Sequence, residues 1–261
     1  MRIPALVLVL LVGAVGVACT GPRDDAAGLS GTVMQYRSDI AARVLTVRLR
    51  AERPTTVQRV ELVPGGFGPS PAVTPAAGLG AGTTTDVRIP LGEPDCAAGP
   101  GPSTARITVG DEPVVIDLDD SYGAIAALHR GECAERAVRD RSDVVLHGPW
   151  VRAGDRLTGS LRLHRRAGTD PVAITELGGT TIFGMRPGAG AVLPLTLAAG
   201  PDAVLPVEIL ATRCDPHALA ESKRATAFDV VATVAAEPPV RLTVSPDDRE
   251  ALLGFATDVC R

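Results

Sequence analysis

The chain has 261 residues and a formal net charge of −4, which leaves room for one large domain or two small ones. The acidic balance argues against a broadly basic, polyanion-binding surface. Aromatic residues make up only 3% of the chain, too few for a stacking platform that would take sugars or single-stranded nucleic acid.

In chain order, residues 3–17 are apolar apart from small glycines and follow a single basic residue, Arg2. The run is about 15 residues, short of the roughly 20 a membrane-spanning helix needs. It predicts an export signal over residues 1–18. Residues 20–25 turn abruptly polar, and residues 19–27 read as a tether. Basic-residue usage adds context. Of the 26 basic residues 25 are arginine, Lys223 is the only lysine, and asparagine is absent. This pattern resembles the composition of GC-rich, actinobacterial-type bacteria, so arginine abundance alone carries no functional weight. Without asparagine there is no N-glycosylation acceptor.

The signal ends Gly16-Val17-Ala18-Cys19. These four residues resemble the lipobox of bacterial lipoproteins, with Gly16 where that family prefers leucine. Gly16-Val17-Ala18 also satisfies the small-x-small rule of ordinary secretory cleavage, so the segment by itself allows either route. The resemblance implies acylation of Cys19 and a place on the extracytoplasmic face of the cell membrane. Cysteine arithmetic leans the same way. The five cysteines are Cys19, Cys96, Cys133, Cys214 and Cys260. A lipid on Cys19 leaves four that can all pair, whereas simple secretion leaves an odd thiol in an oxidising space.

The rest of the chain repeats itself. Residues 43–50 and 156–164 are alternating runs, each followed by a Thr-containing turn and a second apolar run, 57–63 and 172–177. Gly/Pro-rich stretches lead to Cys96 and Cys214. A hairpin follows each, 105–118 and 228–244, and then a short helix ending in the second cysteine of its half. Asp119 and Ser245 are the expected helix caps. Short alternating strands with Gly/Pro turns predict a mainly all-β chain of two tandem immunoglobulin-like antiparallel sandwiches, residues 28–140 and 141–261. The repeat predicts disulfides Cys96–Cys133 and Cys214–Cys260. They close loops of about 38 and 47 residues, for roughly 4 kcal/mol each. Residues 134–143 contain neither Gly nor Pro and read as a helical extension between the halves. Trp150 is expected at a core edge or the interdomain seam.

Linear chemistry is sparse. No G-x-S-x-G or S-x-x-K nucleophile motif occurs. His129, His147, His164 and His217 are scattered, and Cys214-Asp215-Pro216-His217 loses a ligand once Cys214 is bridged, so no metal or other cofactor is expected. The acids at 117–120 and 247–248 read as helix caps. Arg48 and Arg50, and Arg162 and His164, alternate with apolar residues and should form basic outer faces on equivalent strands, possible contacts for an anionic envelope polymer. The expectation is a lipid-anchored, non-enzymatic binding or scaffold protein for an envelope component, with no nucleic-acid partner. An enzyme or carrier using the cleft between the halves, and a structural envelope lipoprotein, are the alternatives.

Overall fold

The computed structural model describes residues 28–75, 78–220 and 225–260; the leader, Cys19 and the tether to residue 27 lie outside the described residues. The chain is mainly β, 47% strand and 16% helix.

In the first half, β1 (Leu29–Met34), β2 (Val44–Ala51), β3 (Val57–Val63), β4 (Thr84–Pro90), β5 (Thr104–Val109) and β6 (Glu112–Asp119) form the order β3-β5-β6-β1-β2-β4. Period-two alternation sorts the side chains. β2 buries Leu45, Val47, Leu49 and Ala51 and leaves Arg48 and Arg50 on the outer face. All pairings are antiparallel except β1 with β6, which is parallel over Gly31–Leu118 and Thr32–Asp119 only. That short contact joins the layers β1-β2-β4 and β3-β5-β6 along one edge. Gly31 permits it, because a side chain there would strike Leu118 and Ile116. The two layers share one apolar core with Val33, Leu62, Ile107 and Ile125 at its centre.

α1 (Ala124–Arg141) follows and runs without a break into β7 (Ser142–Ala153). At 18 residues it is about 27 Å long, and it continues two turns past Cys133. Its ends belong to different cores: Ile125 packs in the first and Val138 in the second.

The second half contains β8 (Arg156–Arg165), β9 (Val172–Leu177), β10 (Phe183–Pro187), β11 (Leu195–Leu197), β12 (Asp202–Ala211), α2 (Pro216–Ala220), β13 (Phe228–Val234), β14 (Val240–Val244) and α3 (Arg249–Val259). Its sheets are β10-β12-β8-β7 and β11-β9-β13-β14. The inner orders β7-β8-β12 and β9-β13-β14 repeat β1-β2-β4 and β3-β5-β6 of the first half element for element. A parallel bridge between Leu146 and Pro246 replaces the β1–β6 contact. The additional strands β10 and β11 lie in the long connection from β9 to β12. Phe183 stacks on both Phe228 and Phe255, centroids 6.1 and 6.3 Å apart, and so ties α3 to the second core.

Both disulfides join the segment after the fourth strand of the repeat, β4 or its equivalent β12, to the terminal helix. Cys96–Cys133 and Cys214–Cys260 have Cα separations of 5.5 and 5.1 Å. The helix caps differ from the sequence expectation. Asp120, not Asp119, accepts from the N–H groups of Ala124 and Ile125; Asp119 takes the Ser121 hydroxyl instead. α3 is capped by Asp248, which accepts from the Ala251 N–H, three residues beyond Ser245. The shift frees Asp247 to bind the N–H of Gly148 and the indole of Trp150.

Candidate binding groove along α1

A groove of about 1310 Å³ opens along α1, between the first half of the chain and the start of β14. α1 lines it with the small residues Ala124, Ala127 and Gly131, which leave room above the helix. One wall is the segment after β1, with Met34, Tyr36 and Ile40. The opposite wall is Pro239, Val240 and Arg241, and Tyr122 stands at the mouth, just before α1. Tyr36, Ile40 and Tyr122 are 41%, 54% and 76% exposed, well above what large apolar side chains show in a core. The chain has only two tyrosines, and both are in this groove.

Charged side chains ring the groove and pair with one another. Arg43 has a left-handed backbone, φ 51°, rare for a residue with a side chain. That conformation carries its guanidinium across to α1, where Nε and Nη2 meet the two Glu132 carboxylate oxygens at 2.9 and 2.8 Å. Nη1 meets Glu93 at 3.1 Å, and Nη2 also donates to the Gly92 carbonyl. The Glu132 hydrogen bonds hold the Arg43 pKa above its usual value against partial burial. Arg136 donates to Glu93 and to the Pro94 carbonyl; Arg139 donates to Glu135 and reaches the Thr243 carbonyl of β14.

The four expected binding residues divide between two places. Arg48 pairs with Asp86 of β4 and donates to the Tyr36 hydroxyl at 2.7 Å, which connects it to the groove wall. The Tyr36 hydroxyl donates to Asp86, and this bond raises its pKa; Arg48 in turn lowers that of Asp86. Arg50 is exposed on the same face, in register with Ser30 and Thr84. Arg162 and His164 both bind Asp202 of β12, at 2.9 and 2.8 Å. They line a separate hollow of about 290 Å³ with Asp143, Val145 and His147. His164 and Arg162 lower the Asp202 pKa. In each half, then, one aspartate on the neighbouring strand balances the basic strand. Among the described residues no cluster of three His, Cys, Asp or Glu side chains could hold a metal ion, and no helix is long and apolar enough to cross a membrane.

Sequence reasoning passed over Tyr36, Ile40, Tyr122 and the Arg43–Glu132 pair. A signal was present: the only tyrosines of an aromatic-poor chain fall in polar, turn-like surroundings, Gln35-Tyr36-Arg37-Ser38 and Ser121-Tyr122-Gly123. Such settings suit exposed aromatics rather than core ones.

No protein-family model matches the chain, and no curated protein matches it in sequence. Among solved structures it is similar to a protein of unknown function from Porphyromonas gingivalis W83, at 14% identity over 84% of this chain and 96% of that one, TM-score 0.24. A red sea bream transglutaminase is similar at 10% identity over 85% of this chain and 32% of that one, TM-score 0.25. The calcium-binding domain CBD12 of CALX1.1 is similar at 14% identity over 80% of this chain and 78% of that one, TM-score 0.22. Superpositions this loose carry no argument about what the chain does.

Proposed function

We propose that the protein is a lipid-anchored, non-enzymatic binding protein of the extracytoplasmic membrane face, and that its interdomain groove holds an exposed segment of a partner protein. The observation that carries this reading is the gathering of both tyrosines and Ile40, all exposed, in one groove with a mutually neutralised rim. Tyrosine is favoured at protein interfaces because it buries a large apolar surface and keeps a hydroxyl for the rim. At about 1310 Å³ the groove exceeds the roughly 300–1,000 Å³ typical of small-molecule sites, which favours a polypeptide occupant. A carrier or enzyme in the same cleft is less well supported, because Arg43, Arg136 and Arg139 spend their donors on neighbouring groups instead of converging on open space.

Chain direction suits a surface role. The tether joins at Gly28, while Met34 at the far end of β1 lines the groove, about 20 Å further on. An anchor at Cys19 would therefore hold the groove away from the bilayer. The test is a photo-crosslinking amino acid in place of Tyr122, expressed in the native host. A discrete adduct that disappears when Tyr36→Ser and Ile40→Ser are added supports the reading. Absence of any discrete adduct from Tyr122 and from a second probe at Ile40 overturns it.

A further inference from the structure

The two disulfides occupy equivalent places in the repeat, but the residue one turn before the helical cysteine differs. One turn before Cys133 on α1 stands His129, only 5% exposed. Its Nε2 lies 3.0 Å from the Asp95 carbonyl oxygen and 3.7 Å from the Cys133 sulfur. With a carbonyl as partner, Nε2 carries the hydrogen. The ring is fixed edge-on against Phe67, centroids 5.5 Å apart at 87°. At the corresponding place before Cys260 stands Ala256, which has no donor to offer. Cys96 is exposed and Cys133 half-buried, as are Cys214 and Cys260 respectively, so at either bridge an incoming nucleophile meets the loop cysteine first, and His129 is what sets Cys96–Cys133 apart.

We propose that Cys96–Cys133 is a thiol–disulfide exchange site for a dithiol reductant, whereas Cys214–Cys260 is a structural staple. A thiolate of the dithiol attacks Cys96 Sγ and forms a mixed disulfide. The Cys96–Cys133 bond breaks and its electron pair leaves on Cys133 Sγ, where the His129 N–H stabilises the thiolate. A better-stabilised leaving thiolate departs faster. The second thiol of the reductant then attacks the mixed disulfide and releases Cys96 as a thiolate, which takes up a proton. The dithiol is oxidised by two electrons and the protein disulfide is reduced by two. The segment bearing Glu93 and Pro94, a wall of the groove, is thereby released from its covalent link to α1. This inference stands apart from the binding reading and survives if no partner exists.

The experiment is a time course of the full chain in dithiothreitol without denaturant, quenched by alkylation, with each bridge followed by peptide mass mapping. The expected result is opening of Cys96–Cys133 about tenfold faster than Cys214–Cys260, a gap that His129→Phe removes and His129→Gln, which keeps an N–H donor, largely retains. Equal rates, or faster opening of Cys214–Cys260, overturn the proposal. So does an unchanged gap in a His129→Phe protein with native circular dichroism. If His129→Phe does not fold, the wild-type ratio and His129→Gln decide.

Discussion

Arg43 grips Glu132 across 89 residues of sequence, through two parallel hydrogen bonds of 2.9 and 2.8 Å. The pair pins the turn before β2 to the middle of α1 and so fixes the width of the groove at its rim. Bidentate geometry places it among the stronger ion pairs. Both partners keep some contact with water, side-chain exposures being 34% and 21%, so screening limits its worth to about 1 kcal/mol. Arg43→Met should lower the urea midpoint of the first half accordingly. Arg43→Gly should cost less, because glycine adopts the left-handed backbone without strain. Urea titrations of the two variants read this difference; both lose the ion pair, so Arg43→Gly proving the worse of the two would mean that the packed side-chain stem and chain entropy outweigh the backbone strain.

A second pairing lends itself to pH. Burial pushes the Asp247 carboxyl up, but hydrogen bonds from Trp150, the Gly148 N–H and His147 outweigh it and hold its pKa below the usual value. A depressed folded-state pKa stabilises the fold above the unfolded value, about 3.9 for aspartate. That stabilisation is lost as pH falls through the folded value. Trp150 is the only tryptophan and donates to Asp247 at 3.1 Å, so its fluorescence reports on the site directly. Wild-type protein should be more resistant to urea than Asp247→Asn at pH 6, and the gap should narrow as pH falls below the unfolded value of about 3.9. A pH-independent gap would show that the carboxylate charge is immaterial.

α1 offers a test of how the two cores are coupled. Ile125 is 1% exposed in the first core and Val138 is 1% exposed in the second. Removing buried methyl groups costs about 2–4 kcal/mol for Ile→Ala and somewhat less for Val→Ala. The cores share no buried residue, so distant changes should act independently. Val138→Ala should therefore shift the Trp150 fluorescence transition, while Ile125→Ala shifts far-UV circular dichroism and leaves the Trp150 transition within about 0.5 kcal/mol. If Ile125→Ala moves the Trp150 transition by its full amount, α1 makes the two halves one cooperative unit.

What could be read from the sequence follows from what is periodic. β3 and β9 match the apolar runs at 57–63 and 172–177 residue for residue, because branched aliphatic residues concentrate there between turn-forming neighbours. The disulfide pairing was legible because the repeat places each cysteine relative to its own hairpin. β1 was missed, and its reason is visible in Gly31: the strand needs a residue without a side chain in order to pass Leu118, and glycine breaks the pattern by which strands are recognised. The cap of α3 was misplaced because Ser245, Asp247 and Asp248 are all competent acceptors. Only the tertiary demand of Trp150 and Gly148 assigns Asp247 away from the helix. The groove was illegible for a different reason. Its walls come from residues 34–43, 93–94, 122–140 and 239–241, brought together by the strand order and not by any local spacing.

The proposed lipid on Cys19 can be tested directly. Four of the five cysteines are consumed in two bridges within the halves, so Cys19 has no partner cysteine left in the chain. Acylation at Cys19 would add two or more chains, enough for stable membrane attachment, since each buried methylene contributes about 0.8 kcal/mol. Cys19→Ala should then move the protein from the membrane to the soluble fraction and change its mobility on a denaturing gel. Both bridges should remain intact, because neither involves residue 19. An uncleaved apolar leader acting as the anchor predicts the opposite: Cys19→Ala stays membrane-bound at unchanged mobility. Simple secretion predicts a wild-type protein that is already soluble and carries one alkylatable thiol per chain. Fractionation of the two proteins, followed by thiol counting under non-reducing denaturation, separates the three outcomes.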